Sequence, residues 1–173
     1  MKETYFIPYS ELEGSAFFEF QKGEFNKKLG FFKRAKMEFK LTDSLFLDSD
    51  DGATLMEVFS FFLPGFDLCY IGYHIRKPHG IIFGNELRRL AALIESGSGI
   101  LESLETMGVY DPKSAESIEQ ISYATNIPSE RISRFEDRYK ELILPKVQQS
   151  AKDLALWLDE AYSTHETVSL LGL

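Results

Sequence analysis

The hydrophobic pattern of this chain changes its period near residue 85, and this change restricts the fold more than any other feature. From residue 16 to residue 47, apolar residues alternate with polar ones or form short clusters, as in AFFEFQKGEF and KMEFKLTDSLFL. Alternation is typical of strands, and Gly23, Asn26 and Gly30 are turn residues between them. We therefore expect two or three strands in this part of the chain.

The second half has the spacing of helices. Leu87, Leu90 and Ile94 recur at helical intervals, in a helix that Asn85 would cap and Gly97 would end. Beyond Pro145 the sequence predicts a long helix with Trp157 beside one apolar face, which consists of Val147, Ala151, Leu154, Leu158 and Ala161. The tail ETVSLLGL is predicted to add a last strand.

The remaining segments complete an α+β prediction. DSDDGATLMEVFSFFLPG predicts a short helix stopped by Pro64 and Gly65, and FDLCYIGYHI predicts a strand that ends at an RKPHG turn. GILESLETMG, PKSAESIEQISYATN and PSERISRFEDRYKELIL predict three further helices. With 173 residues, the chain is expected to form a single domain, 1–173, with N-terminal antiparallel strands, a mainly helical C-terminal half and a possible last strand.

Charge is distributed unevenly along the chain. The net charge is -8, which disfavours proteins whose main task is to neutralise nucleic-acid phosphates. Lys22 to Lys40 holds seven basic residues against two acidic ones, whereas Leu41 to Ile75 holds six acidic residues and no Lys or Arg. One interpretation is an acidic surface that attracts a basic partner, and the other is that the two stretches face each other or are simply solvated.

Residues Ser117 to Asp137, SIEQISYATNIPSERISRFED, resemble the helix-turn-helix of Cro- and repressor-type regulators. The match includes Ser122 at a small-residue position and Asn126 at the turn. The resemblance implies that the second helix enters the major groove of DNA, with contacts from Ser129, Arg131 and Arg134. From Lys113 to Lys140, however, five basic residues balance five acidic ones, whereas a DNA reader is expected to be basic.

Metal and catalytic signatures are not found in the sequence. DSDDG fails as an EF-hand loop, because counting from Asp48 puts glycine fifth and Phe59 twelfth. Cys69, His74 and His79 are the only cluster of soft ligands in the sequence. They suggest another hypothesis for the function, an enzyme built around the two histidines. A shared strand would place Cys69 and His74 on opposite faces, since their separation is odd. We expect a non-enzymatic protein without a cofactor or metal.

The single cysteine excludes an internal disulfide, and the first residues lack the apolar run of a signal peptide. The longest apolar run, VFSFFLPGF, is also far shorter than the roughly 20 residues that span a bilayer. These features predict a cytoplasmic protein that does not enter a membrane. The sequence leaves the oligomeric state open.

In size, acidity and its late LALWLDEAYSTHETVSLLGL segment, the chain resembles the bacterial immunity proteins that protect against polymorphic toxins, including those of contact-dependent growth inhibition. The resemblance implies an inhibitor that binds a cognate toxin domain, commonly a basic nuclease, through acidic side chains that stand in for phosphates. The predicted contact has an aromatic anchor in a polar rim, and its residues are Asp43, Asp48, Asp50, Asp51, Asp67, Tyr70 and Tyr73.

Overall fold

The computed structural model describes residues 4–8, 17–24, 43–48, 55–56, 58–66, 72–111, 113 and 143–172. Its antiparallel sheet contains β1 (Phe6–Ile7), β2 (Phe17–Lys22), β3 (Leu45–Asp48), β4 (Tyr73–Arg76) and β5 (Thr167–Gly172). The described helices are α1 (Lys77–Glu95), α2 (Ile100–Thr106) and α3 (Leu144–Thr164), and residues 55–56 and 58–60 are also helical. The α+β prediction, with strands early and helices late, is confirmed.

The last strand occupies an interior position in the sheet. The strand order is β1-β3-β2-β5-β4, so β5 lies between β2 and β4. Leu170 of β5 is opposite Phe20 on one side and opposite Tyr73 on the other. The strand that the tail ETVSLLGL predicts is present, and it joins β2 to β4, two strands with 50 residues between them in the sequence.

One face of the sheet packs against the helices. Phe20, Ile75 and Leu170 belong to the same buried cluster as the apolar residues of α1 and α3. The ring of Phe20 contacts Trp157 of α3 edge to face, with the centroids 6.5 Å apart. The alternating apolar residues of the strands thus supply one half of the core, and the helical apolar stripes supply the other half.

The opposite face of the sheet is also buried, although it carries polar side chains. Glu19 and Ser169 are fully inaccessible to solvent, and Gln21 is nearly so. The register places Gln21 opposite Ser169, while Glu19 is opposite Leu171 and Phe46, which are buried as well. The alternation in FFEFQK is that of a strand with one solvated face, but here both faces are covered.

Helix α1 begins eight residues before the predicted cap, so the assignments of Asn85 as N-cap and of RKPHG as a turn are wrong. The helix begins at Lys77, with Arg76 as its N-cap and Pro78 in its first turn, where proline costs no hydrogen bond. Asn85 lies exposed inside the helix, and its Oδ1 accepts a hydrogen bond from Arg88. Helix α1 ends at Glu95, and Gly97 follows with a φ of 103°, as the sequence predicts.

The other helical predictions are confirmed where the structure describes them. Helix α3 starts at Leu144 with Pro145 in its first turn, and its predicted apolar face is buried. Helix α2 matches GILESLETMG. The helices predicted from PKSAESIEQISYATN and PSERISRFEDRYKELIL fall mostly on residues 114–142, outside the described residues. Among the helices that the structure describes, none combines the length and apolar character needed to cross a bilayer.

Helices α1 and α3 run antiparallel and approach closely at one end. Arg88 contacts Asp159, and Glu95, further along α1, contacts Lys152, earlier in α3, at 2.9 Å. The two helices therefore run in opposite directions. Gly80 of α1 lies directly against the ring of Tyr162, where a Cβ atom would come within 2.1 Å of that ring. The ring can lie this close to the backbone of α1 only because residue 80 has no side chain.

Tyr162 holds this contact in place. Its hydroxyl donates a 2.8 Å hydrogen bond to the carbonyl oxygen of Ile75, in β4 just before α1. Burial raises the pKa of Tyr162 well above its usual value of 10.0, because the phenolate would lose its hydration. The phenol thus ties α3 to the junction between β4 and α1.

We expect Tyr162→Phe to lower the free energy of unfolding by about 1–2 kcal/mol at neutral pH, since a buried carbonyl loses its donor. Because the folded pKa of Tyr162 is raised, wild-type stability should fall as the pH rises above about 10, where the unfolded phenol ionises first. The variant lacks this contribution, so the difference between the two proteins should shrink at high pH. Urea unfolding at pH 8 and pH 11 measures both effects, and a constant difference would contradict this account of Tyr162.

Candidate protein-binding surface

A lysine at the end of β2 brings three elements of the fold together. The Nζ of Lys22 lies 3.2 Å from a carboxylate oxygen of Asp43, just before β3, and 2.7 Å from one of Glu160 in α3. The same Nζ lies 6.0 Å from the ring centroid of Trp157. We call these four residues, Lys22, Asp43, Trp157 and Glu160, the Lys22 cluster.

Trp157 fixes the position of the turn that contains Asp43. Its Nε1 donates a 2.8 Å hydrogen bond to the backbone oxygen of Asp43. Glu160 follows Trp157 by three residues, so both side chains project from neighbouring positions on α3. The indole therefore holds the Asp43 backbone next to α3, and the Lys22 ammonium lies over the face of its ring.

The electrostatics of the Lys22 cluster are asymmetric. The Lys22 side chain is only 10% exposed, whereas the side chains of Asp43 and Glu160 are 55% and 70% exposed. The hydrogen bond to Glu160 raises the pKa of Lys22 above its usual value, Asp43 raises it further, and burial acts in the opposite direction. The covered Lys22 ammonium is thus paired with two exposed carboxylates, those of Asp43 and Glu160. The cluster therefore presents net negative charge to solvent.

Neighbouring residues of α3 extend this acidic surface. Asp159 precedes Glu160, is exposed, and pairs with Arg88 of α1. Asp153 lies two turns earlier and accepts a 2.8 Å hydrogen bond from Gln149. From Asp153 to its end, α3 therefore carries three carboxylates, at Asp153, Asp159 and Glu160, and Lys152 lies just before this segment.

The pairing of Lys22 with Asp43 bears on the two interpretations of the charge pattern. Lys22 opens the basic stretch and Asp43 belongs to the acidic one, so at this point the two stretches do face each other. Asp48 ends β3, whereas Asp43 lies in the turn before that strand, so their backbones are at opposite ends of β3. Asp50, Asp51, Asp67 and Tyr70 lie outside the described residues.

Tyr73, the other predicted anchor, is half-buried on β4. Its hydroxyl donates a 2.8 Å hydrogen bond to the carbonyl oxygen of Pro64, and its ring packs edge to face on Phe66 at 5.6 Å. Burial raises the pKa of the phenol. Two strands separate β4 from β3, so Tyr73 and Asp43 lie on different parts of the sheet.

The two histidines of the enzyme hypothesis occupy different elements. His79 is exposed in the first turn of α1. His74 lies on β4, and its Nδ1 is 3.0 Å from the hydroxyl of Ser169, which itself donates a 2.7 Å bond to the carbonyl oxygen of Gly23. Since the single hydroxyl proton goes to Gly23, Nδ1–H must donate to Ser169, which is the reverse of a base activating a nucleophile.

The described residues contain no group of three or more His, Cys, Asp or Glu side chains placed to hold a metal ion. Cys69 lies outside the described residues, and so do Ser129, Arg131 and Arg134 of the helix-turn-helix prediction.

The sequence did not reveal the Lys22 cluster or the buried polar face. Lys22 and Glu160 are 138 residues apart, and a charged residue at a strand end is normally solvated. The only available signal was Trp157, the single tryptophan, lying just beside the apolar face of its helix. A tryptophan in that position often bonds its N–H to a neighbouring element.

Comparison of the chain with protein-family models, with curated proteins and with solved structures found no match.

Proposed function

We propose that this protein is a non-enzymatic inhibitor of the immunity-protein type, which binds and neutralises a basic, nuclease-type toxin domain through an acidic surface. The observation that carries the proposal is the Lys22 cluster, where a covered cation holds two exposed carboxylates in fixed positions. Carboxylates held in place lose less side-chain entropy on binding than free ones. An inhibitor that replaces nucleic-acid phosphates needs such pre-positioned negative charge.

The proposed contact combines described and sequence-predicted residues. Its described part consists of Asp43 and Glu160, which both contact Lys22, and of Asp159, which precedes Glu160 on α3 and pairs with Arg88 of α1. The carboxylates that the sequence adds are Asp48, Asp50, Asp51 and Asp67, with Tyr70 as the aromatic anchor, since Tyr73 lies on a different part of the sheet from Asp43. Complementary potential would speed association with a basic partner and disfavour acidic ones.

The direct test is to recover the tagged protein from a nuclease-treated lysate of its source cells and identify what remains bound. The proposal expects a stoichiometric basic polypeptide that harms cells when produced alone and is harmless when this protein is produced with it. Recovery of the protein alone, from cells that produce such a toxin, would contradict the proposal.

The acidic surface is tested with a double substitution that spares the fold. In Glu160→Gln with Asp159→Asn, Lys22 keeps Asp43, and Arg88 keeps its hydrogen bonds to Asn85 and to the Ala155 carbonyl oxygen. We expect association with the captured partner to slow by about threefold per charge at low salt, and the difference to shrink at high salt. Stopped-flow or surface plasmon resonance measures the rates.

The matched control removes the same charge elsewhere. Glu95→Gln with Glu105→Gln changes the net charge equally, at exposed sites on α1 and α2, and it also breaks one exposed ion pair, with Lys152. Equal slowing in both double variants would show that only total charge matters, and the proposed surface would be rejected. Reversal of Asp48, Asp50 and Asp51 to Lys tests the sequence-predicted part in the same assay.

The alternative, a helix-turn-helix transcriptional regulator, rests on the sequence of residues 117–137 alone. It expects the purified protein to shift DNA from its own promoter region at moderate salt, and Arg131→Ala and Arg134→Ala to abolish the shift while the fold stays intact. Repeating the lysate capture without nuclease separates the two functions, since retained specific DNA supports only the regulator.

A further inference from the structure

We draw no further inference here: the strongest candidate, the exposed side chains of Ile81, Ile82 and Leu156 on the outer surface of α1 and α3, is an unpartnered apolar face, and nothing in the described part of the structure shows what covers it.

Discussion

Gly80→Ala is expected to destabilise the protein by about 3 kcal/mol or more, because overpacking at a rigid contact forces side chains or backbones apart. The added Cβ would lie 2.1 Å from the ring of Tyr162, which cannot swing away without breaking its bond to the Ile75 carbonyl oxygen. For a chain of this size, the melting temperature should fall by about 6–12 °C. Thermal unfolding followed by circular dichroism measures this change.

Gly84→Ala is the matched control, one turn further along α1. The nearest atoms to its added Cβ are Arg88 Nη1 at 3.6 Å and Leu158 Cδ1 at 3.9 Å, both ordinary contacts. Because alanine is the better helix former, this variant should gain about 0.5–1 kcal/mol.

Combining Gly80→Ala with Tyr162→Leu separates the clash from a backbone effect. The double variant should be more stable than the sum of the two single changes predicts, since the smaller side chain makes room for the Cβ. If Gly80→Ala and Gly84→Ala behave alike, the close approach of α1 and α3 is not as described.

Trp157→Ala is expected to cost about 3–5 kcal/mol, as is usual when a large buried aromatic ring is removed. The variant loses the packing against Phe20, the hydrogen bond to the Asp43 carbonyl oxygen and the aromatic ring under the Lys22 ammonium. Because this is the only tryptophan, unfolding must be followed by circular dichroism rather than by indole fluorescence.

Two controls separate the parts of this effect. Trp157→Phe keeps most of the packing and loses the N–H donor, so it should cost only about 1–2 kcal/mol. Leu156→Ala, at the adjacent position, removes a side chain that is 67% exposed and should change stability by less than about 0.5 kcal/mol. A Trp157→Ala variant no less stable than Leu156→Ala would show that the indole does not hold the turn at Asp43.

Patterns within one element predicted much of the fold, because burial of one side of a helix or strand repeats with a fixed period. The apolar stripe of α3, the glycine after α1 and the strand in the tail are all short-range signals of this kind. The start of α1 was missed because Gly80 and Gly84 weaken the helical pattern between Lys77 and Asn85. The benefit of Gly80 lies in its contact with Tyr162 of α3, which no local pattern contains.

The candidate surface was less predictable from sequence, for the same reason. The charge runs indicated acidic and basic stretches but not which individual charges meet, and Lys22 selects one carboxylate from a turn and one from a distant helix. The burial of Glu19 and Gln21 was equally hidden, since a polar residue at alternate strand positions normally faces water.

The interior position of β5 also governs the order in which the sheet can form during synthesis. The ribosome makes the chain from its N-terminus, so β2 and β4 emerge well before Thr167–Gly172, the segment that joins them. Until then the nascent chain carries two strands whose facing backbone groups have no native partner. The sheet can therefore be completed only after β5 has been made, and a chain truncated before β5 would lose the join between the two parts of the sheet.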